Sequence, residues 1–146
     1  MIIGNFIKEI ELRYKKKYFS GLCFNSSKCK KDNIFFAIKG TKVDGNKFID
    51  HAIQKGAKII ISNQKFEGVR KNILFIKSSN VRKSLSEFAF AIYRNKPKNI
   101  IAVTGTNGKS SVAEFYFQIL KLNKKKVAII GTLGIKTQNY KKKVSN

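Results

Sequence analysis

Residues 104–111 read Thr-Gly-Thr-Asn-Gly-Lys-Ser-Ser, placing two glycines, a lysine and two adjacent hydroxyls between an apolar run and a helix-like run. A turn that leaves a parallel strand and opens a helix presents backbone N–H groups with no helical acceptor, at the positive end of the helix dipole. That combination is an anion site. Gly105 and Gly108 let the backbone approach a phosphate and take dihedrals that a side chain forbids. Lys109 reaches the β- and γ-phosphates of a triphosphate as a mobile charge and is the candidate catalytic residue. The hydroxyl of Ser110 is placed to ligate Mg²⁺. Gly105, Thr106, Asn107, Gly108, Lys109, Ser110 and Ser111 are therefore the candidate ATP-binding residues. The pattern departs from G-x-x-x-x-G-K-[ST] at Val103, where the first glycine would stand. The residues alone leave open a plain glycine turn carrying a solvated lysine. The flanking strand and helix patterns favour the phosphate.

Positioning that turn requires a strand over 99–103 and a helix over 109–122, with "KKVAIIGTLG" as the next strand. Upstream, Leu22 to Phe24 and Ile34 to Ile38 are short apolar runs, and the turn "TKVDG" leads into the helical "NKFIDHAIQKGA". There Phe48, Ala52 and Ile53 share a face, and Gly56 falls at a C-cap. "KIIIS" and "NILFIK" read as buried strands. Ser79 or Asn80 caps the following helix, "VRKSLSEFAFAIYRN", whose buried side carries Leu85, Phe88, Ala89 and Tyr93. The segment from Met1 to about Lys17 is weakly helical with a basic tail. Alternating strands and helices predict an α/β chain with a mainly parallel sheet. The single proline, Pro97, marks a hinge. We expect a small α/β domain over 1–97, followed over 98–146 by the beginning of a P-loop, doubly wound parallel-sheet domain that reads as incomplete.

Composition narrows the partners. Of 146 residues 42% are hydrophobic, but no apolar run approaches the roughly 20 residues that span a bilayer, so no membrane partner is expected. Charges interrupt the apolar N-terminus as in no secretory signal, which predicts a cytoplasmic protein. Cys23, Cys29 and a single His51 match neither a zinc site nor a disulfide framework and read as reduced thiols and a partly exposed helix residue. The net charge of +23 raises the question of a polyanionic partner. Lysine supplies nearly all of the excess and is scattered through every segment, a compositional bias that argues against a nucleic-acid groove. It still favours ligands bearing phosphate.

The turn "TGTNGKSS" resembles the ATP-binding loop of the Mur ligases and the related folylpolyglutamate synthetases, whose shortened glycine loop has the same spacing. Residues 25–57, "NSSKCKKDNIFFAIKGTKVDGNKFIDHAIQKGA", are similar to the N-terminal domain of the muramyl-tripeptide synthetases, and "GTLG" at 131–134 also resembles those third-residue ligases. The resemblance covers about residues 20–140. It implies ATP-dependent amide formation: a carboxylate of UDP-N-acetylmuramoyl-dipeptide is phosphorylated and the acyl phosphate is then attacked by an amino group. It implies further that Ser26 contacts the UDP-muramyl substrate and that Thr41, Lys42 and Val43 lie against the same nucleotide. Asn25, Ser27 and Asn33 stand where the family usually has Asp, Arg and Asp. The family's remaining metal carboxylate, modified lysine and acceptor-binding domain would lie beyond Asn146, so the chain reads as a fragment inactive alone. The competing reading is a standalone basic module that holds nucleotide or nucleic acid without ligase chemistry.

Overall fold

The structure, a computed structural model, describes residues 1–7 and 10–142. The chain divides into two compact units, Met1–Lys96 and Pro97–Asn146.

In the first unit, β1 (Gly21–Cys23), β2 (Asn33–Phe36), β3 (Ile59–Ser62) and β5 (Ile73–Lys77) run parallel, and β4 (Gly68–Arg70) closes the sheet antiparallel to β5. The strand order is β1-β2-β3-β5-β4. Every residue of β2 and β3 is buried, as expected of parallel strands covered on both faces. Their side chains alternate between two cores. Ile34, Phe36, Ile59 and Ile61 face one side with Leu74 and Phe88. Phe35 and Ile60 face the other with Ala52 and Ile49. Helix α2 (Val81–Ile92) supplies Val81 and Phe88 to the first core, and α1 (Ile49–Gln54) supplies Ile49 and Ala52 to the second. The result is an α/β layer arrangement built on a mostly parallel sheet, as the alternating pattern predicted.

The N-terminal segment differs from its weakly helical expectation. Two 3-10 turns, Ile3–Asn5 and Leu12–Tyr14, are joined to a bridge between Ile2 and Tyr18. Burial decides this outcome: Ile3 and Phe19 are wholly enclosed, and the Phe6 ring stacks on Phe88 at 5.1 Å. The helix expected over "NKFIDHAIQKGA" splits into a 3-10 turn, Gly45–Phe48, and the short α1. Gly56 ends it at φ +104°, with its N–H on Ile53 O and that of Ala57 on Ala52 O, a Schellman closure. Asn80 is the cap of α2, accepting from the Lys83 N–H at 2.9 Å.

In the second unit, α3 (Lys109–Leu122) is followed by β6 (Ala128–Gly131), β7 (Gly134–Thr137) and β8 (Lys141–Lys142), an antiparallel meander. Residues 99–103 carry no strand, contrary to the sequence expectation. A strand exists only through a ladder partner. Here β6 pairs with β7 across the two-residue turn Thr132-Leu133, so "GTLG" forms a hairpin rather than the end of a parallel strand. Ile100 is accordingly 78% exposed, and Phe117 of α3 is the one large side chain of this unit that is buried among the described residues. The Glu114 carboxylate pairs with the Lys136 ammonium, which also lies 4.6 Å from the centre of the Phe117 ring.

Candidate functional site

Two loop clusters carry the residues singled out by sequence, one in each unit. In the second unit the turn from Gly105 to Gly108 is wholly exposed and opens α3. Gly105 has φ +147° and Gly108, the N-cap of α3, has φ +76°. A Cβ on Gly108 would meet nothing within 4 Å, so this glycine is required by its left-handed backbone and not by crowding. Among the described residues, no hydrogen bond takes the amides of Gly105 to Ser111, whereas the Val112 N–H already reaches Gly108 O at 2.9 Å. The loop therefore presents a run of free donors at a helix N-terminus, as a phosphate requires. Lys109 curls back over it, its ammonium on the Gly105 carbonyl and on Thr106 O at 3.0 Å. The charge is thus held at the loop rather than extended into solvent.

Metal-ligating carboxylates do not gather here. Among the described residues no group of three His, Cys, Asp or Glu side chains is placed to hold a metal ion. A Mg²⁺ at Ser110 would take most of its oxygen ligands from phosphate and water, which is the ordinary habit of that ion.

In the first unit the candidate residues leave the sheet at its carboxyl edge. Ser26 lies in a 3-10 turn, Ser26–Lys28, just after β1, and Thr41, Lys42 and Val43 lie in a tight loop after β2. Since β1 and β2 are neighbouring parallel strands, both loops emerge at the same end, where open α/β sheets bind ligands. The loop is closed by a bridge between Lys39 and Asp44 and by the Gly40 N–H on Val43 O at 2.9 Å, with Thr41, Lys42 and Val43 exposed. Asp44 caps the next turn, accepting from the Asn46 N–H at 2.9 Å and the Asn46 amide at 2.7 Å. That backbone N–H first, then the side-chain amide and the nearby Lys39 and Lys47, hold the Asp44 carboxyl below the usual carboxylate range.

Ser26 is only 6% exposed, and its Oγ lies 3.0 Å from Nδ1 of His51 on α1. Asn25, where the resembled family has Asp, still caps the turn by accepting from the Ser27 N–H at 3.0 Å. Asn33, the other amide at a family Asp position, accepts from the Ser20 hydroxyl at 2.9 Å and is buried. Cys23 and Cys29 flank the turn as free, buried thiols. Burial, then contact with the Cys23 thiol, pushes Cys29 up to about 12. Sequence reasoning missed the partnership of His51, because only the folded sheet brings residues 26 and 51 together. It also passed over Asn46, whose Oδ1 is the one buried side-chain acceptor without a partner among the described residues.

A family model described as "Mur ligase family, catalytic domain" matches residues 18–105. A UDP-N-acetylmuramoyl-L-alanyl-D-glutamate–2,6-diaminopimelate ligase of Rickettsia prowazekii is 44% identical over 122 residues, covering 84% of this chain and 25% of that protein. The ligase of the same name from Clostridium tetani is 47% identical over 74 residues, covering 49% of this chain and 15% of that one. The chain thus spans a quarter or less of the length of these relatives. Among solved structures, one of a ligase bearing that name superposes with a TM-score of 0.74 at 25% identity over 96% of this chain and 29% of that chain. A MurF ligase from Thermotoga maritima in complex with ADP matches with a TM-score of 0.53 at 29% identity, over 69% of this chain and 23% of that chain. With a family model matching more than half of its residues, the chain belongs to the Mur ligase family.

Proposed function

We propose that residues 1–97 form the UDP-muramyl-peptide-binding domain, and residues 98–146 the beginning of the ATP-binding domain, of a cytoplasmic peptidoglycan-synthesis ligase. That ligase adds a diamino acid, 2,6-diaminopimelate in the named relatives, to UDP-N-acetylmuramoyl-L-alanyl-D-glutamate. The observation that carries the reading is the exposed turn 105–111, with its left-handed glycines and free amides at the head of α3. In this role the amides of Gly105 to Ser111 bind the triphosphate. Lys109 exchanges its two carbonyl contacts for phosphate oxygens and stabilises charge on the transferring phosphoryl group. Ser110 contributes a hydroxyl to Mg²⁺, which would screen the phosphate charge. Ser26, Thr41, Lys42 and Val43 hold the UDP-muramyl substrate at the sheet's carboxyl edge.

Isothermal titration of the 146-residue chain at physiological salt tests this with three ligands: ATP with Mg²⁺, UDP-N-acetylmuramoyl-dipeptide, and a mixed-sequence oligonucleotide. The first two are expected to bind. Lys109→Ala removes charge-assisted hydrogen bonds and should weaken ATP by about 10- to 100-fold while leaving the UDP-muramyl affinity unchanged. ATP binding that is indifferent to Lys109→Ala overturns the assignment of the loop. Oligonucleotide binding that survives salt, with no response to the UDP-sugar, replaces the ligase reading with a binding module.

A further inference from the structure

The ring of His51 and the hydroxyl of Ser26 approach to 3.0 Å across 25 residues of chain. His51 stands in the middle of α1, and Ser26 opens the 3-10 turn that follows β1. A serine hydroxyl has one proton to give and two lone pairs, and in solvent its direction averages over several partners. Ser26 has little solvent to average with, being 6% exposed. Its turn is also held from three sides. Asn25 caps it through the Ser27 N–H, the Cys23 thiol donates to Asn25 O at 2.8 Å, and the Cys29 N–H closes it on Ser26 O at 3.2 Å. With the backbone so fixed, the orientation of the Ser26 hydroxyl is left to a single neighbour, Nδ1 of His51.

We propose that His51 is a positioning residue for substrate, fixing the direction in which Ser26 offers its remaining hydrogen-bonding capacity to the UDP-muramyl ligand. This rests on the reading of Ser26 as a substrate contact. The ring touches no reacting atom. If Nδ1 accepts the Ser26 proton, the serine offers lone pairs to a donor on the ligand, such as an imide N–H. If Nδ1 carries a proton, the serine is free to donate to a carbonyl or phosphate oxygen. Either way one of the serine's two roles is taken by the ring and the other is reserved for the ligand. Removing the ring leaves a nearly buried hydroxyl with no protein partner and no preferred direction.

The test is a double-mutant cycle read by titration of the 146-residue chain with UDP-N-acetylmuramoyl-dipeptide, with ATP as the internal control. His51→Leu should weaken the UDP-muramyl ligand about tenfold, and the same change made on a Ser26→Ala background should have little further effect. ATP affinity should not move in any variant. His51→Asn places an amide where Nδ1 lies and should restore most of the affinity. His51→Gln puts its amide near the Nε2 position and should not, so the contrast between two polar variants decides even where His51→Leu fails to fold. Equal losses from His51→Leu with and without Ser26, or equal behaviour of the Asn and Gln variants, overturn the positioning role while leaving the ligase reading intact. A parent chain that ignores the UDP-sugar sinks the substrate role of Ser26, and the inference with it.

Discussion

Gly45 is where the loop after β2 lies tightest against the backbone that leaves that strand. A Cβ built there would lie 2.5 Å from the Ile38 carbonyl oxygen, 2.7 Å from the Ile38 nitrogen and 2.9 Å from the Ala37 carbonyl carbon. A carbon–oxygen contact settles at about 3.3 Å or more, so Gly45→Ala must push two stretches of backbone apart by most of an ångström. Neither neighbour is the end of a flexible side chain, and Ala37 is fully buried in the second core. Overpacking of this kind costs about 1–3 kcal/mol. The first bond to stretch is the Gly45 N–H on Ile38 O, now 2.9 Å, whose loss adds about 1 kcal/mol. A total of about 2–4 kcal/mol is a large share of the stability of a small domain. At about 4–8 °C per kcal/mol, it should lower the melting midpoint by roughly 8–32 °C, followed by far-ultraviolet circular dichroism. Gly21→Ala is the matched control, since its Cβ meets only the Asn33 side chain at 3.4 Å and should change stability by less than about 1 kcal/mol. A Gly45→Ala protein melting within about 3 °C of the parent would show that the loop has slack and would refute the steric argument.

Two further expectations concern titratable groups. The Cys29 thiol is pushed up to about 12 from a reference of 9.0, so the folded state favours its protonated form. Its contribution to stability is present below the reference value and is lost as pH climbs toward the folded one. Chemical denaturation midpoints should therefore fall between pH 8 and pH 11, and less steeply in Cys29→Ala; identical slopes would discount the burial of this thiol. In the native chain at pH 8.5, iodoacetamide should label Cys29 far more slowly than in denaturant, as read by mass spectrometry. Asp44 shifts the other way. Its lowered carboxyl pKa supplies stability that is present above the ordinary carboxylate value of 3.8 and lost as pH drops through the folded value. Asp44→Ala removes the cap and should flatten the acid limb of a stability–pH curve; an unchanged limb would place the acid sensitivity elsewhere.

Local signals in the sequence were legible where a few neighbouring residues decide the outcome. The all-apolar runs of β2 and β3, Gly56 beyond the helix and the amide cap at Asn80 each act through chain neighbours or simple burial. The glycine turn at 105–108 was legible for the same reason, since positive φ at Gly105 and Gly108 is a local requirement. Residues 99–103 show the opposite case. An apolar run states a preference for burial, but the ladder that makes it a strand comes from distant residues, and β6 found its partner in β7. The edge strand β4 escaped notice because Gly68–Arg70 is short and largely exposed, with nothing in its pattern to distinguish it from a loop. His51 and Ser26 were each read alone, the one as a partly exposed helix residue and the other, through the family resemblance, as a ligand contact. Only parallel alignment of β1 with β2, and the return of α1 over them, makes them a pair.

The five-stranded sheet begins and ends on strands of three residues each, β1 on one side and the reversed β4 on the other. So little outer backbone is on offer that an incoming strand from another molecule could form only a few bonds before running out of ladder, and β4 meets it with the charged Arg70 at its tip. The five-stranded sheet thus limits its own extension at both margins.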